Sequence, residues 1–389
     1  MSATLLDVEA IRSRFSSLKS GFAFFDAPGG TQVPDEVGEA IARTLREASA
    51  NLGAPYETGR RVEAVLTEAK QKGAGFLGCT PAETVFGPNM TSLNFTLSRT
   101  AGRDWREGDE VIVTSLDHDG CAAPWVELAA DKGLKVHVVD VHDDFTLDFD
   151  DLERKLSDRT RVVACSITCN AVGTMVDAER LAALAREAGA LSWFDAVHHA
   201  AHEPIDVVAL GCDVLLCSPY KFCGPHLGIA YVRKELAETW RPYKARPAPT
   251  EPVARRFETG TLPFELLGGF NATIDYLDAI GGLPAIREYE RGLGARFLDG
   301  LPDSVTVYGP PAMEGRVPTF LLNVAGVSAY DVAAALAEQR MGVWAHDGWY
   351  CVGLAGKLPA EGSVRIGFIH YNSADEVDRL LAELETLSS

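Results

Sequence analysis

The sequence predicts an α/β fold in which a large domain with a mostly parallel sheet is followed by a smaller α/β domain. Three observations carry this expectation. Between residues 84 and 233, short apolar β-rich runs alternate with amphipathic stretches, the pattern of strands covered by helices on both faces. From Pro263 the pattern changes to long helices and then to short strands. The chain has 389 residues, more than one hydrophobic core usually organises.

Along the chain, strands are predicted at residues 110–114, 135–139, 161–165, 191–195, 213–217 and 228–232, each built mainly from aliphatic or aromatic side chains. Helices are predicted between them at 122–132, 150–156 and 177–188, the last with apolar residues at helical spacing. Residues 241–261 are rich in Pro, Arg and Glu and lack periodicity, so they read as an exposed connection. Within them, Phe257-Glu258-Thr259-Gly260-Thr261 is too particular for a random linker. Short strands are expected again at 319–324 and 363–369, then a terminal helix from Ser373. There is no internal repeat, low-complexity tract or heptad array.

Hydrophobic residues make up 47% and charged residues 23%, ordinary globular values. A formal net charge of −19 disfavours nucleic acid or an anionic membrane as a partner, so any anion has to be captured locally. No apolar run approaches the roughly 20 residues that span a bilayer. The start Met1-Ser2-Ala3-Thr4 lacks a secretory pattern, and a cytoplasmic protein is expected. The eight cysteines are scattered, as reduced structural thiols are, and no second pair or histidine cluster completes a metal set around Cys165 and Cys169.

Leu191-Ser192-Trp193-Phe194-Asp195 reads as a buried strand ending in a carboxylate. One β-α-β return later, Ser218-Pro219-Tyr220-Lys221-Phe222-Cys223-Gly224-Pro225-His226 sets a lysine among aromatic, small and turn-forming residues directly after an apolar run. Such a return brings acid and amine to one edge of a parallel sheet, where ligands of these folds bind. The pairing suits pyridoxal 5'-phosphate (PLP), whose aldehyde needs a lysine for its Schiff base and whose ring nitrogen stays protonated beside a carboxylate. Taken singly, a strand-end Asp more often caps a helix, so the neighbouring motifs have to decide.

Phe86-Gly87-Pro88-Asn89-Met90-Thr91-Ser92-Leu93-Asn94 runs from a short strand into a helix. Free amides and hydroxyls at Asn89, Met90, Thr91 and Ser92 make either a phosphate cradle or a plain N-cap. Ser218 and Tyr220 offer further hydroxyls to the same phosphate. Asp117-His118-Asp119-Gly120 places an imidazole at the same edge, where a flat ring can stack on a pyridine or relay protons. A lone histidine is more often a surface or satisfied core residue, a reading that also covers His198 and His199. Asn170 closes another strand, either as a turn former or as a donor to a phenolate oxygen.

Together these positions match a known pattern. The chain resembles the class V aminotransferase group of fold-type I PLP-dependent enzymes, and within it the cysteine desulfurase-like proteins. The resemblance runs through Phe25-Asp26-Ala27-Pro28-Gly29-Gly30-Thr31-Gln32-Val33-Pro34, residues 86–94, Leu116-Asp117-His118-Asp119, Cys169-Asn170-Ala171-Val172-Gly173-Thr174 and Phe194-Asp195-Ala196-Val197-His198. It continues through Ser218-Pro219-Tyr220-Lys221, Arg256-Phe257-Glu258-Thr259-Gly260-Thr261 and residues 364–372. Eight segments in the right order are specific where one chance motif is not.

The resemblance implies a seven-stranded, mostly parallel sheet within a large domain at 21–262, a small C-terminal domain at 263–389, and an N-terminal segment at 1–20 that joins the small domain. It implies Lys221 as the Schiff-base lysine, Asp195 as partner of the pyridinium nitrogen, and His118 as the stacking ring. Asn170 and His198 become neighbours of the phenolic oxygen, and Arg365 the grip on the substrate α-carboxylate, for which its planar fork is apt. Thr261 resembles a residue that reaches the phosphate of the other subunit, which implies a homodimer.

Two departures bear on the reaction. In desulfurases a loop cysteine carries the substrate sulfur as a persulfide; here Cys351 falls near that position with Gly348 in register, but Asp347, Trp349 and Tyr350 replace the usual basic residues. An acidic, aromatic setting raises a thiol pKa, so Cys351 is either a sulfur acceptor or a packing residue. Met90 also stands where many relatives have threonine. The expectation is therefore a PLP-dependent enzyme that cleaves C–S bonds, desulfurase-like or a cysteine-conjugate lyase, with aminotransferase or amino-acid epimerase as the other enzyme reading. A PLP-fold binding or sensor protein is the alternative of another class.

Overall fold

The structure, a computed structural model, describes residues 6–348 and 350–387; Met1–Thr4 and Trp349 lie outside the described residues. A two-residue strand β1 (Ala23–Phe24) precedes seven strands of one large sheet: β2 (Thr84–Gly87), β3 (Glu110–Thr114), β4 (Lys135–Val139), β5 (Thr160–Ser166), β6 (Leu191–Asp195), β7 (Val214–Cys217) and β8 (Gly228–Val232). Their order across the sheet is β2-β8-β7-β6-β5-β3-β4. Neighbours from β7 through β4 pair in parallel, whereas β8 runs antiparallel to both β2 and β7. The two reversals at β8 cancel. The carboxyl ends of β2, β3, β5, β6 and β7 therefore share one edge of the sheet.

Side-chain alternation divides the interior. Val111, Val113, Val162, Ala164, Trp193, Val214 and Leu216 point to one face, where they meet Leu93, Leu97, Trp125 and Leu128 from the helices Met90–Ala101 and Asp119–Lys132. Ile112, Val163, Cys165, Phe194 and Leu215 point to the other, against Leu66, Leu77, Leu181 and Phe270. Burial on both faces is why these strands read as nearly continuous apolar runs. The helix after β3 begins three residues before its predicted start because His118 caps it.

A second sheet, of order β12-β13-β10-β9, combines β9 (Val305–Tyr308), β10 (Thr319–Val324), β12 (Trp344–His346) and β13 (Ser363–Gly367), and all its pairings are antiparallel. The strand predicted to Ile369 stops at Gly367 because the Asn372 side chain accepts from the Ile369 amide at 3.0 Å and turns the chain into the helix Ala374–Leu387. β1 pairs in parallel with β11 (Met341–Gly342), and the Gly367 amide donates to Phe25 O at 2.7 Å. The chain just after the N-terminal helix thus lies against the smaller sheet.

The segment 241–261 is not exposed throughout. Val253, Ala254 and Phe257 are buried, and Glu258 is buried with its Oε1 accepting from Lys70 Nζ and, at 3.1 Å, from the Phe86 amide. Lys70 also donates to Thr84 O at 2.5 Å. This ion pair fastens the 241–261 segment to β2 and to the helix Glu57–Leu77. Removing one partner leaves an uncompensated buried charge. Glu258→Ala is expected to lower stability by about 3–5 kcal/mol in urea unfolding, and a paired Lys70→Met, Glu258→Leu variant to recover most of the loss; a single-variant loss under about 1 kcal/mol contradicts the assignment.

Candidate active site

At the shared edge of the large sheet, under the small one, lies a cavity of about 280 Å³. Each strand end contributes to its lining. The turn after β2 supplies Asn89, Met90 and Thr91; the turn after β3 supplies His118; β5 and the loop beyond it give Ser166, Thr168 and Asn170. β6 contributes Asp195, Val197 and His198, and β7 leads into Ser218, Tyr220 and Lys221. The small sheet closes the cavity with Trp344 and Arg365, the loop after β12 adds Tyr350, and the N-terminal loop adds Pro28 and Gly29.

The charged groups here are largely cut off from water. Lys221 is 8% exposed; burial first, then the charge of Arg365, lowers its pKa to about 7, while Asp26 and Asp195 oppose the shift. Asp195 is buried, and desolvation raises its pKa to about 6 against a 2.8 Å bond from the Val197 amide and the charge of Lys221. His118 Nδ1 accepts from the Gly120 amide at 2.9 Å. That bond leaves the ring proton on Nε2 in the neutral imidazole. Burial, then the charges of Lys221 and Arg365, carries the His118 pKa down to about 4. His198 Nε2 is 2.9 Å from Thr319 Oγ1, and burial holds this histidine well below its usual pKa.

The loop around residues 25–31 builds one wall and fixes two functional groups. Pro28 O accepts from Lys221 Nζ, and Thr31 Oγ1 accepts from the Cys223 amide at 2.8 Å, so the lysine turn is gripped on both sides. Arg365 Nη2 donates to Asp26 Oδ1 at 3.1 Å and Nη1 to Asn170 O at 3.2 Å. The guanidinium is oriented before any ligand arrives.

Of the residues singled out from sequence, the cavity gathers Lys221, Asp195, His118, Asn170, His198, Ser218, Tyr220, Arg365, Asn89, Met90 and Thr91. Ser218 Oγ accepts from the Met90 amide at 3.2 Å. Ser92 is exposed and absent from the lining, its amide held by the Asn89 side chain at 2.8 Å. Thr261 is exposed on a separate cleft with Thr44 and Tyr56. Cys351 is fully buried behind Asn170, its Sγ donating to Asn170 Oδ1 at 3.2 Å. A hydrogen bond with Cys169, and then burial, pushes its thiol well above the ordinary range. Ser166, Thr168, Trp344 and Tyr350 also line the cavity, beyond the site residues expected from the sequence. The first two lie at and beyond the strand end set at Cys165, Trp344 follows from a β12–β13 pairing that has no local signal, and Tyr350 from a loop contact with the Asp119 amide.

The donor set fits PLP. An amine and a carboxylate occur together in a buried cavity, and Asp195 sits above the usual carboxylate range because burial is only partly offset there; a protonated ring nitrogen is the cation that would offset the rest. The helix Met90–Ala101 presents its first turn to the same cavity, as a phosphate requires.

The Aminotransferase class-V family profile matches residues 23–380. The chain is 33% identical to a probable cysteine desulfurase 2 of Mycobacterium leprae (strain TN), over 98% of this chain and 97% of that one. It is 30% identical to the aminotransferase-like protein FGM3 of Gibberella zeae, over 99% of each. Among solved structures it is similar to the apo cysteine desulfurase of Thermococcus onnurineus NA1, with TM-score 0.93 and 28% identity, covering 100% of this chain and 99% of the other.

The lowered proton affinity of Lys221 is directly measurable. In cofactor-free protein, its acylation followed by mass spectrometry is expected to rise with pH around a midpoint near 7, the amine being protected as ammonium below it. Asp26→Asn should move that midpoint lower still, since the Asp26 charge favours the ammonium. A midpoint near the ordinary 10.5 contradicts the buried setting.

Proposed function

This chain belongs to the class V aminotransferase family, and from that premise and the contents of its cavity we propose a PLP-dependent enzyme that cleaves the C–S bond of cysteine or a cysteine conjugate. One observation carries the reading: the amine of Lys221, the carboxylate of Asp195 and the guanidinium of Arg365 meet in a single buried cavity. Similarity along nearly the whole chain to proteins named cysteine desulfurase supports cysteine as the parent substrate.

Bound PLP supplies an electron sink for charge that develops at the α-carbon of an amino acid. The protein supplies everything around it. Asp195 would hold positive charge at the ring nitrogen, His118 would offer a flat neutral ring, and Asn170 and His198 would serve the phenolic oxygen. Asn89, Met90 and Thr91, with Ser218 and Tyr220, would hold the phosphate. Arg365 binds the substrate α-carboxylate, sharing its fork with Asp26. Lys221, whose burial already lowers its pKa to about 7 in the cofactor-free protein, would take the α-proton and return it.

Cys351 has no place in this scheme. Its thiol is buried, bonded to Asn170 and absent from the cavity lining, so sulfur leaves without transfer to a protein thiol and elimination is favoured over desulfuration. The active unit is a homodimer in this reading, with Thr261 reaching the phosphate of a second copy; its exposure away from its own chain's cavity supports that role. The eight free cysteines support a reducing, cytoplasmic setting, and among the described residues no helix is long and apolar enough to cross a membrane.

With L-cysteine, the PLP-loaded enzyme is expected to release sulfide and pyruvate. Lys221→Ala should slow this by at least about 100-fold, and Cys351→Ser should stay within about twofold of the unaltered enzyme. Alanine in place of pyruvate, with Cys351→Ser inactive, would move the reaction to desulfuration; no sulfide from any thiol amino acid would reject C–S cleavage.

A further inference from the structure

We propose that Trp344 and Tyr350 form a subsite for an apolar, aromatic substituent on the substrate sulfur, so that the substrate class is an S-conjugate of cysteine rather than free cysteine. This rests on the C–S cleavage proposed above. The cavity is polar at its floor, where Lys221, Asp195, Ser166 and Thr168 lie, and aromatic at its mouth. Trp344 is 40% exposed and Tyr350 57% exposed, yet both line the cavity. Large aromatic surface left open at the edge of a polar site is what binds an apolar group on a ligand anchored by its polar end.

The position of this surface relative to the anchor is defined. The guanidinium carbon of Arg365 lies 5.4 Å from the centroid of the Trp344 ring. A substrate carboxylate held by Arg365 therefore lies close to that ring, and a bulky substituent on the same small molecule is the part that can extend onto it. Tyr350 stacks on His118 at 5.4 Å and 25°, and His346 stacks on Tyr350 at 6.0 Å and 22°, so the tyrosine belongs to a stack of three rings. The wall is held in place rather than loosely hung. The Asp119 amide donates to Tyr350 O at 2.6 Å, and Tyr350 sits in the left-handed region at φ 56°.

A hydrosulfide leaving group has almost no apolar surface to place against these rings, whereas an aryl or benzyl thioether has a great deal. The chemistry balances without a further reactant. Lys221 removes the α-proton, the Cβ–S bond breaks with its electron pair on sulfur, and R–S–CH2–CH(NH3+)–COO− plus water gives R–SH, pyruvate and ammonium. No oxidant and no acceptor thiol is needed, in keeping with a cavity lined by no cysteine among the described residues.

The test compares S-benzyl-L-cysteine with L-cysteine on the PLP-loaded enzyme, scoring pyruvate and released thiol. The expected result is a kcat/KM at least about 10-fold higher for the conjugate, most of it in KM. Trp344→Ala and Tyr350→Ala should each cut that preference about 10-fold, Trp344→Phe should restore most of it, and calorimetric affinity of S-benzyl-L-cysteine for the non-turning Lys221→Ala protein should fall in parallel. Equal effects on both substrates, or none, overturn the subsite while leaving C–S cleavage standing. Release of neither sulfide nor thiol overturns the subsite together with the reading beneath it.

Discussion

An ammonium-forming lysine and a carboxylic acid, both nearly removed from water and facing one cavity, set the terms for the rest of this molecule. Burying either alone is costly, and the protein keeps both by drawing their proton affinities together: Lys221 down to about 7, Asp195 up to about 6. The sheet makes the encounter possible. β6 and β7 pair in parallel with Asp195 opposite Leu216, so the residues that follow Cys217 emerge beside the carboxylate. A register slip by one residue would turn Asp195 into the apolar layer and dismantle the site.

The second requirement is that the small sheet hold Arg365 over that edge. Two carboxyl groups contribute, one part-exposed and one fully buried. Asp26, on the loop that also receives Lys221, pairs with the guanidinium directly. Glu290, in the helix Gly282–Asp299, is farther off: His202 Nδ1 lies 2.7 Å from one of its oxygens and the His370 amide donates to the other at 2.9 Å. His202 lies one turn beyond His198, and His370 follows the strand that carries Arg365. Despite burial, the charge and bond of His202 hold Glu290 below the ordinary carboxylate range. One interior anion therefore ties together the chain leaving Asp195 and the chain leaving Arg365, and the His370 ring passes the link to the Tyr276 hydroxyl at 2.7 Å.

Much of this was legible in the sequence because the site is built at strand ends. A strand buried on both faces announces itself as an apolar run, and the first polar residue at its end marks the edge; Asp195 and Ser218 are legible in that way, while His118 stands out as an imidazole in the polar turn that follows β3. Contacts made across the small sheet carry no such mark. Trp344 enters the cavity because β12 lies antiparallel to β13, opposite Arg365, a pairing of distant segments that neither segment's pattern discloses. Glu258 looked like part of an exposed connection because its composition is that of a loop, whereas its partner Lys70 is far earlier in the chain. Cys351 shows the opposite limit: sequence register puts it where a nucleophile is expected, but the fold turns its thiol inward to Asn170.

The most direct measurement is to load the protein with PLP, reduce it with borohydride, digest it and locate the pyridoxyl group by mass spectrometry. One labelled residue, Lys221, is expected, with loss of a visible absorbance band at ~420 nm on reduction. Asp195→Asn should still take up the label but shift that band. A label on another lysine, or none at all, would mean that this amine and this acid do not share one cofactor.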